Sequence, residues 1–282
     1  MKRVLLILVL GLMMFTGCYE KDLDMTVMQQ TRYEGATINE ITVEDAWSVQ
    51  VLPSDSSYVE LEYCAFLEEY LQIRMEGTAL YIGLSRSLRL PNNTVMHATI
   101  HTASVQKLHF SDAVVASLGR FPETALTLEL EDAAICRNGY FYGTADLKLS
   151  DASKCVEFSF EGTDCTVELD DASVLQAKLN VSGNLTMTIK EASRVTEYWG
   201  EINHADVRVL DASQLNMATS TINTMYIDVN SVSEATVNVV EFLEGLVHNA
   251  SKLYYSGDPI LNVDCDETSI LQQVDLPNPS KF

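Results

Sequence analysis

The sequence predicts an all-β protein: a β-solenoid, most simply a right-handed parallel β-helix with coils of about 20 residues, behind an N-terminal β cap. Three observations predict it. A tripeptide of the type Asp-Ala-Ser recurs at near-constant spacing. Apolar and polar residues alternate on either side of each copy, the two-residue period of a strand. A helical period fits none of these windows.

The copies are Asp112-Ala113-Val114, Asp132-Ala133-Ala134, Asp151-Ala152-Ser153, Asp171-Ala172-Ser173, Glu191-Ala192-Ser193 and Asp211-Ala212-Ser213, followed by the looser Glu234-Ala235-Thr236 and Asn249-Ala250-Ser251. Their spacings are 20, 19, 20, 20, 20, 23 and 15 residues. Phe110, Leu130, Leu149, Leu169, Ile189, Val209, Val232 and Val247 stand two residues before the acidic position. Leu108, Leu128, Leu147, Val167, Met187 and Val207 stand four before it, and Ala116, Cys136, Cys155, Leu175, Val195 and Leu215 four after. One such unit cannot bury its own apolar face, so stacked copies must cover one another. Equivalent residues then lie ~4.8 Å apart, and roughly nine coils make a rod on the order of 40 Å long. The recurrent Ala is expected where the chain turns inward and only a small side chain fits. Gly119, Gly143, Gly162, Gly183 and Gly200 are expected at other corners.

Upstream, Lys2 and Arg3 precede an apolar run from Val4 to Phe15, then Thr16, Gly17 and Cys18. This is the layout of a secretory signal, and the run of about twelve residues is shorter than the ~20 of a membrane-spanning helix. Phe-Thr-Gly-Cys resembles a bacterial lipobox, which implies a signal peptide over 1–17 and lipidation of Cys18. Residues 18–35 carry little pattern and read as a tether. Residues 36–265 form a single domain, with cap and early coils over 36–105 and regular repeats over 106–265. Within the first part, Ala46–Leu52, Tyr58–Tyr63 and Ala79–Leu84 read as strands and Ala65–Leu71 as a short helix. Ile260–Cys265 reads as a last strand, and residues 266–282 as a frayed tail.

Composition bounds the function. The chain is 47% hydrophobic, enough for a large core, and its net charge of −22 leaves no basic surface for a phosphate backbone, so nucleic acid is excluded as a partner.

The repeat, the closing segment Lys252–Pro259 (KLYYSGDP) and the entry segment Glu44–Leu84 together resemble the autotransporter-adhesin head-GIN domain family. Members of that family more often carry Gly where this chain has Asp. The resemblance covers about residues 36 to 265 and implies a β-helical, envelope-attached adhesin. It brings no catalytic residues and no cofactor.

The repeat places Asp112, Asp132, Asp151, Asp171, Glu191 and Asp211 along one edge. Carboxylates ~5 Å apart repel by ~1 kcal/mol even in water, so the column needs compensation. Each Asp oxygen could accept the N–H two residues on, or the column could hold a divalent cation such as Ca²⁺. Cys136 and Cys155 share an offset on adjacent coils and form either a disulfide or a buried thiol ladder. His97 and His101 are four residues apart, about 13 Å on a strand, which is too far for one zinc ion. Tyr140, Phe141, Tyr142, Tyr198 and Trp199 form either an exposed strip for sugar rings or core aromatics. Lys154 and Arg194, at one offset two coils apart, are the basic residues a polysaccharide-cleaving site would need. The expectation is a non-catalytic envelope lipoprotein, anchored by lipid in the outer membrane, that meets a glycan or a surface protein. The alternative is a carbohydrate-active β-helix enzyme.

Overall fold

The computed structural model describes residues 23–197 and 199–275. The signal segment and Cys18 lie outside the described residues, as does Tyr198. Among the described residues there is no α-helix, and no helix is long and apolar enough to cross a membrane. The described residues contain twenty-one strands, joined in one hydrogen-bonded sheet that coils upon itself as a β-solenoid.

From Lys107 onward each coil pairs in parallel with the next. Strand Lys154–Leu169 lies beside Val174–Ile189, with Cys155 opposite Leu175, Phe160 opposite Leu179 and Val167 opposite Met187. The acidic positions are vertical neighbours. The Ala133 N–H donates to the Asp151 carbonyl at 2.8 Å, Ala152 to Asp171 at 2.8 Å and Ala172 to Glu191 at 2.9 Å.

The corners differ from expectation in their physics. Both central residues are left-handed, with φ +53° at Asp151 and +60° at Ala152, and the Ser153 N–H returns to the Ser150 carbonyl at 3.1 Å. This is the hydrogen bond of a type I′ turn. The N–H two residues after the acid therefore goes to the carbonyl before it rather than to the carboxylate. Ala152 is exposed, so crowding does not select it. Positive φ penalises bulky side chains, while Asp and Asn tolerate it and Ala suffers least among the apolar residues that keep a Cβ. The residue packed inside is the third, where Ser153, Ser173, Ser193, Ser213, Ser233 and Ser251 are all buried. Their hydroxyls supply acceptors on the spot: the N–H groups of Ser173, Ser213 and Ser233 reach Oγ of Ser193, Ser233 and Ser251 at 3.2, 3.3 and 3.2 Å.

The register also corrects one copy of the repeat. Gln214 pairs with Glu234, so the corner equivalent to Asp211-Ala212-Ser213 is Ser231-Val232-Ser233 and not Glu234-Ala235-Thr236. Ser231 and Val232 have φ +58° and +64°. The true spacings there are 20 and 18 rather than 23 and 15. A further corner escaped notice. Asp45 and Ala46 have φ +71° and +55°, and the Ala46 N–H donates to the Asp112 carbonyl at 2.8 Å.

At the N-terminal end stacking order departs from chain order. Glu40–Val43 and Ser48–Pro53 lie between the coil of Lys107–Phe110 and Val115–Leu118 on one side and Ala79–Leu84 and Met96–Thr102 on the other. Antiparallel strands then cover the stack: Leu71–Glu76 on Ala79–Leu84, Tyr58–Cys64 on Met96–Thr102, and Val27–Arg32 on Tyr58–Cys64. The expected tether thus becomes a paired strand from Val27, because its alternating side chains half-bury Met28 against the core. The expected helix at Ala65–Leu71 is a single 3-10 turn, Ala65–Leu67, since Leu71 already begins a strand. In the expected tail, Ile270–Gln273 adds a last strand beside Lys252–Ser256.

The interior consists of apolar columns. Phe121, Phe141 and Phe158 stack with ring centroids 5.7 and 5.6 Å apart. Cys136 and Cys155 are register partners and fully buried free thiols. A hydrogen bond with Cys155 and burial push the Cys136 thiol well above its ordinary value. Among the described residues every buried apolar side chain lies between Ile38 and Leu253, so the body from residue 19 contains the whole core.

Candidate functional site

The strand Tyr140–Leu149 sends Phe141 inward and leaves Tyr140 and Tyr142 facing out. Later coils repeat this alternation. Phe160, Leu179, Ile202 and Ile222 are buried, and Glu161, Asn180, Glu201 and Thr221 occupy the outward position beside them. Register places Tyr142 beside Glu161, Glu161 beside Asn180, and Glu201 beside Thr221. The Glu201 N–H closes the remaining step by donating to Asn180 Oδ1 at 3.1 Å. One outward column therefore runs Tyr142–Glu161–Asn180–Glu201–Thr221. Beside it stand Ser182, Asn203 and Asn223, the last donating from Nδ2 to Asn203 Oδ1 at 3.3 Å.

These residues line an open groove of about 690 Å³. Its floor is low at Gly162, where a Cβ would fall 2.0 Å from the Gly143 carbonyl oxygen, so only glycine fits there. Its rim is Trp199, 41% exposed, in the break between Arg194–Glu197 and Glu201–Val209. Lys178 Nζ lies 4.2 Å from the Trp199 ring centroid. At the other end the Arg120 guanidinium lies 4.6 Å from the Tyr140 ring and 5.4 Å from the Tyr142 ring, and donates to Tyr142 Oη. The two tyrosine rings sit 4.8 Å apart, tilted by 50°, and Tyr140 Oη donates to Glu161 Oε2 at 3.0 Å. Hydrogen bonding with Tyr140 and with Arg120 holds the Tyr142 phenol below its ordinary value, while hydrogen bonding with Tyr142, burial and Glu161 raise that of Tyr140. Two carboxylates, Glu161 and Glu201, thus line the groove, and the two cations beside it, Arg120 and Lys178, lie over aromatic rings, in a chain of net charge −22. The groove offers aromatic faces, amides and hydroxyls, a set suited to polyols.

Of the sequence-predicted strip, Tyr140 and Tyr142 flank this end of the groove and Trp199 lines it. Phe141 belongs to the buried aromatic stack instead, because inward and outward positions alternate on its strand. None of the acidic column lines the groove. Asp170, Asp171 and Glu191 bring one carboxylate oxygen each within 4.8 Å of one another, at an exposed or half-buried corner. Lys190 answers them, with Nζ 2.5 Å from Asp170 Oδ2. A hydrogen bond with Asp171 and the charge of Asp170 raise the Glu191 carboxyl. Lys154 and Arg194 do share a column, but Val174 stands between them and neither lines the groove. His101 stacks on Tyr58 at 4.1 Å and faces Glu60 at 3.4 Å, whereas His97 pairs across the sheet with Glu62. Sequence reasoning missed Arg120, Glu161, Asn180, Glu201, Asn203 and Asn223. The signal was the outward offset of each coil, legible only once the register is known.

A family model described as "Putative auto-transporter adhesin, head GIN domain" matches residues 37–259. The chain belongs to this family. Solved structures with the same fold as this head GIN domain include a putative adhesin from Parabacteroides merdae, 11% identical with a TM-score of 0.67, covering 89% of this chain and 97% of that one. A putative lipid binding protein from Parabacteroides distasonis is 13% identical with a TM-score of 0.58, covering 90% and 98%. A putative adhesin from the same organism is 14% identical with a TM-score of 0.57, covering 89% and 98%. No curated protein matches the chain. At such identities the neighbours of the head GIN domain show its fold alone.

Proposed function

We propose that this head GIN domain is the non-catalytic, adhesin-like body of a lipid-anchored envelope protein and that its groove binds carbohydrate. Family membership supports the adhesin-like role. The groove carries the carbohydrate reading: Trp199 and Tyr142, joined by a row of amides and carboxylates, offer the ring faces and paired donors and acceptors that a sugar presents to its receptor. Asn180 stands between Glu161 and Glu201 in the column, and Tyr140 already donates to Glu161 Oε2, which favours holding a ligand over cleaving it. The lipobox-like Phe-Thr-Gly-Cys sequence at Cys18 supports the anchor, and a tether ending at Val27 would set the solenoid beside an outer-membrane surface.

The test is a glycan array probed with the body from residue 19. At least one carbohydrate class should bind, and Trp199→Ala should weaken that binding by about tenfold or more, the loss of one central aromatic anchor. Binding untouched by Trp199→Ala and Tyr142→Ala would take the ligand away from this groove.

A further inference from the structure

The groove crosses the coils instead of following one. Its chemistry recurs from coil to coil in two adjacent columns, Tyr142–Glu161–Asn180–Glu201–Thr221 and Ser182–Asn203–Asn223. Each step along the solenoid axis is ~4.8 Å, the distance between paired strands, and five coils give a track of about 19 Å. That step is close to the length of one pyranose unit in an extended glycan. A ligand lying along a strand would meet the outward residues of a single coil, such as Tyr140 and Tyr142, whereas a ligand lying along the axis meets one amide, hydroxyl or carboxylate per unit.

Charge narrows the ligand further. Both cations are already engaged, Arg120 with Tyr140 and Tyr142 and Lys178 with Trp199. Glu161 and Glu201 face the track, and the chain around it carries net charge −22. With a screening length of ~8 Å at physiological salt, that field still acts on a polyanion entering the groove. Among the described residues no Lys or Arg lines the groove to meet a uronate or sulfate.

We infer that the ligand is an uncharged linear polysaccharide held parallel to the solenoid axis, about four to five sugar units long in contact, one per coil. This rests on the carbohydrate reading of the groove given above. Tyr142 on the first coil of the track and Trp199 on the coil of Glu201 supply stacking platforms, and Asn180, Asn203 and Asn223 the repeated hydrogen bonds. Repetition makes affinity additive in chain length, since each further unit reaches another coil until the track ends.

Calorimetric titration of the body from residue 19 should use the neutral sugar class found on the array as pure oligomers of one to eight units. Oligogalacturonates of matched length serve as the anionic probe. Affinity should rise severalfold per unit up to about four or five units and stay flat beyond, and the anionic series should bind at least about tenfold more weakly. The double variant Asn203→Ala/Asn223→Ala, both at surface positions, should weaken the pentamer by about tenfold and shorten the length at which affinity levels off by about two units. Circular dichroism of the variant checks that the solenoid is intact. Equal affinity for dimer and pentamer, or preference for the anionic series, overturns the axial, neutral ligand while leaving carbohydrate binding in place. Absence of binding by any glycan on the array overturns the carbohydrate reading itself, and this inference with it.

Discussion

Phe141 offers the sharpest test of the stacked architecture. Its side chain is fully buried and its ring lies between those of Phe121 at 5.7 Å and Phe158 at 5.6 Å. Phe141→Ala removes that ring from a closely packed column, and such truncations cost about 3–5 kcal/mol. Phe141→Leu keeps most of the apolar volume but forfeits the two ring contacts, each worth about 0.5–1.5 kcal/mol beyond burial, so its cost should be about 1–3 kcal/mol. The two variants should therefore differ by about 2 kcal/mol in urea unfolding followed by circular dichroism. A solenoid is coupled chiefly to nearest neighbours, so the damage should be local. Amide exchange should accelerate in the coils that hold Phe121, Phe141 and Phe158 and change little at Leu243 or Leu253. Because Phe141 sits between Tyr140 and Tyr142 on one strand, Phe141→Ala should also loosen that end of the groove. A cost below about 1 kcal/mol for Phe141→Ala, or exchange accelerated uniformly along the rod, would refute the stack as the source of stability.

Other outcomes follow from the same structure. Asp266 accepts from the Asn249 N–H at 2.7 Å, from the Thr268 hydroxyl at 2.8 Å and its N–H at 2.9 Å, and from Ser269, and these hold its carboxyl far below the usual carboxylate range. A depressed acid stabilises the fold above its unfolded value of about 3.9 and loses that contribution as pH falls through the folded value. The last coil should thus stay ordered at neutral pH and fray first on acidification, with the Asn249 amide resonance shifting before those of the central coils; simultaneous loss of all coils would contradict this. Adding Ca²⁺ or EDTA should leave the melting temperature unchanged, because backbone hydrogen bonds and Lys190 already hold the acidic corners; a rise of several degrees with Ca²⁺ would make the column of Asp151, Asp171 and Glu191 a cation site. In a bacterial host the chain should incorporate labelled palmitate, and Cys18→Ala should abolish the label and release the body from membranes; label retained by the variant would remove the anchor assignment.

What the sequence disclosed and what it hid have a common cause. Inward positions such as Leu147, Val167, Met187 and Val207 must cover their neighbours, so their apolar character recurs and the coil could be read directly. The corner copies were visible for a related reason, since left-handed φ restricts what can stand there to Asp, Asn, Ala and a few others. Where restriction relaxed, the reading slipped. Val232 is 68% exposed and the corner there lost its acid, so Glu234-Ala235-Thr236 looked like the copy three residues too late. The N-terminal end hid its plan because stacking order there is not chain order: Asp45 lies on Asp112 across 66 intervening residues. The groove hid for the opposite reason to the core. Outward residues are free of the stacking constraint, so Tyr142, Glu161, Asn180, Glu201 and Thr221 hold four residue types in five positions and show no repeat. Stacking fixes where they stand without fixing what they are. Only the register, with its spacings of 19, 19, 21 and 20, turns these five residues into one column. A solenoid can therefore change its ligand by changing outward residues one coil at a time, at little cost to the columns within, and the groove is where this chain should differ most from other head GIN domains.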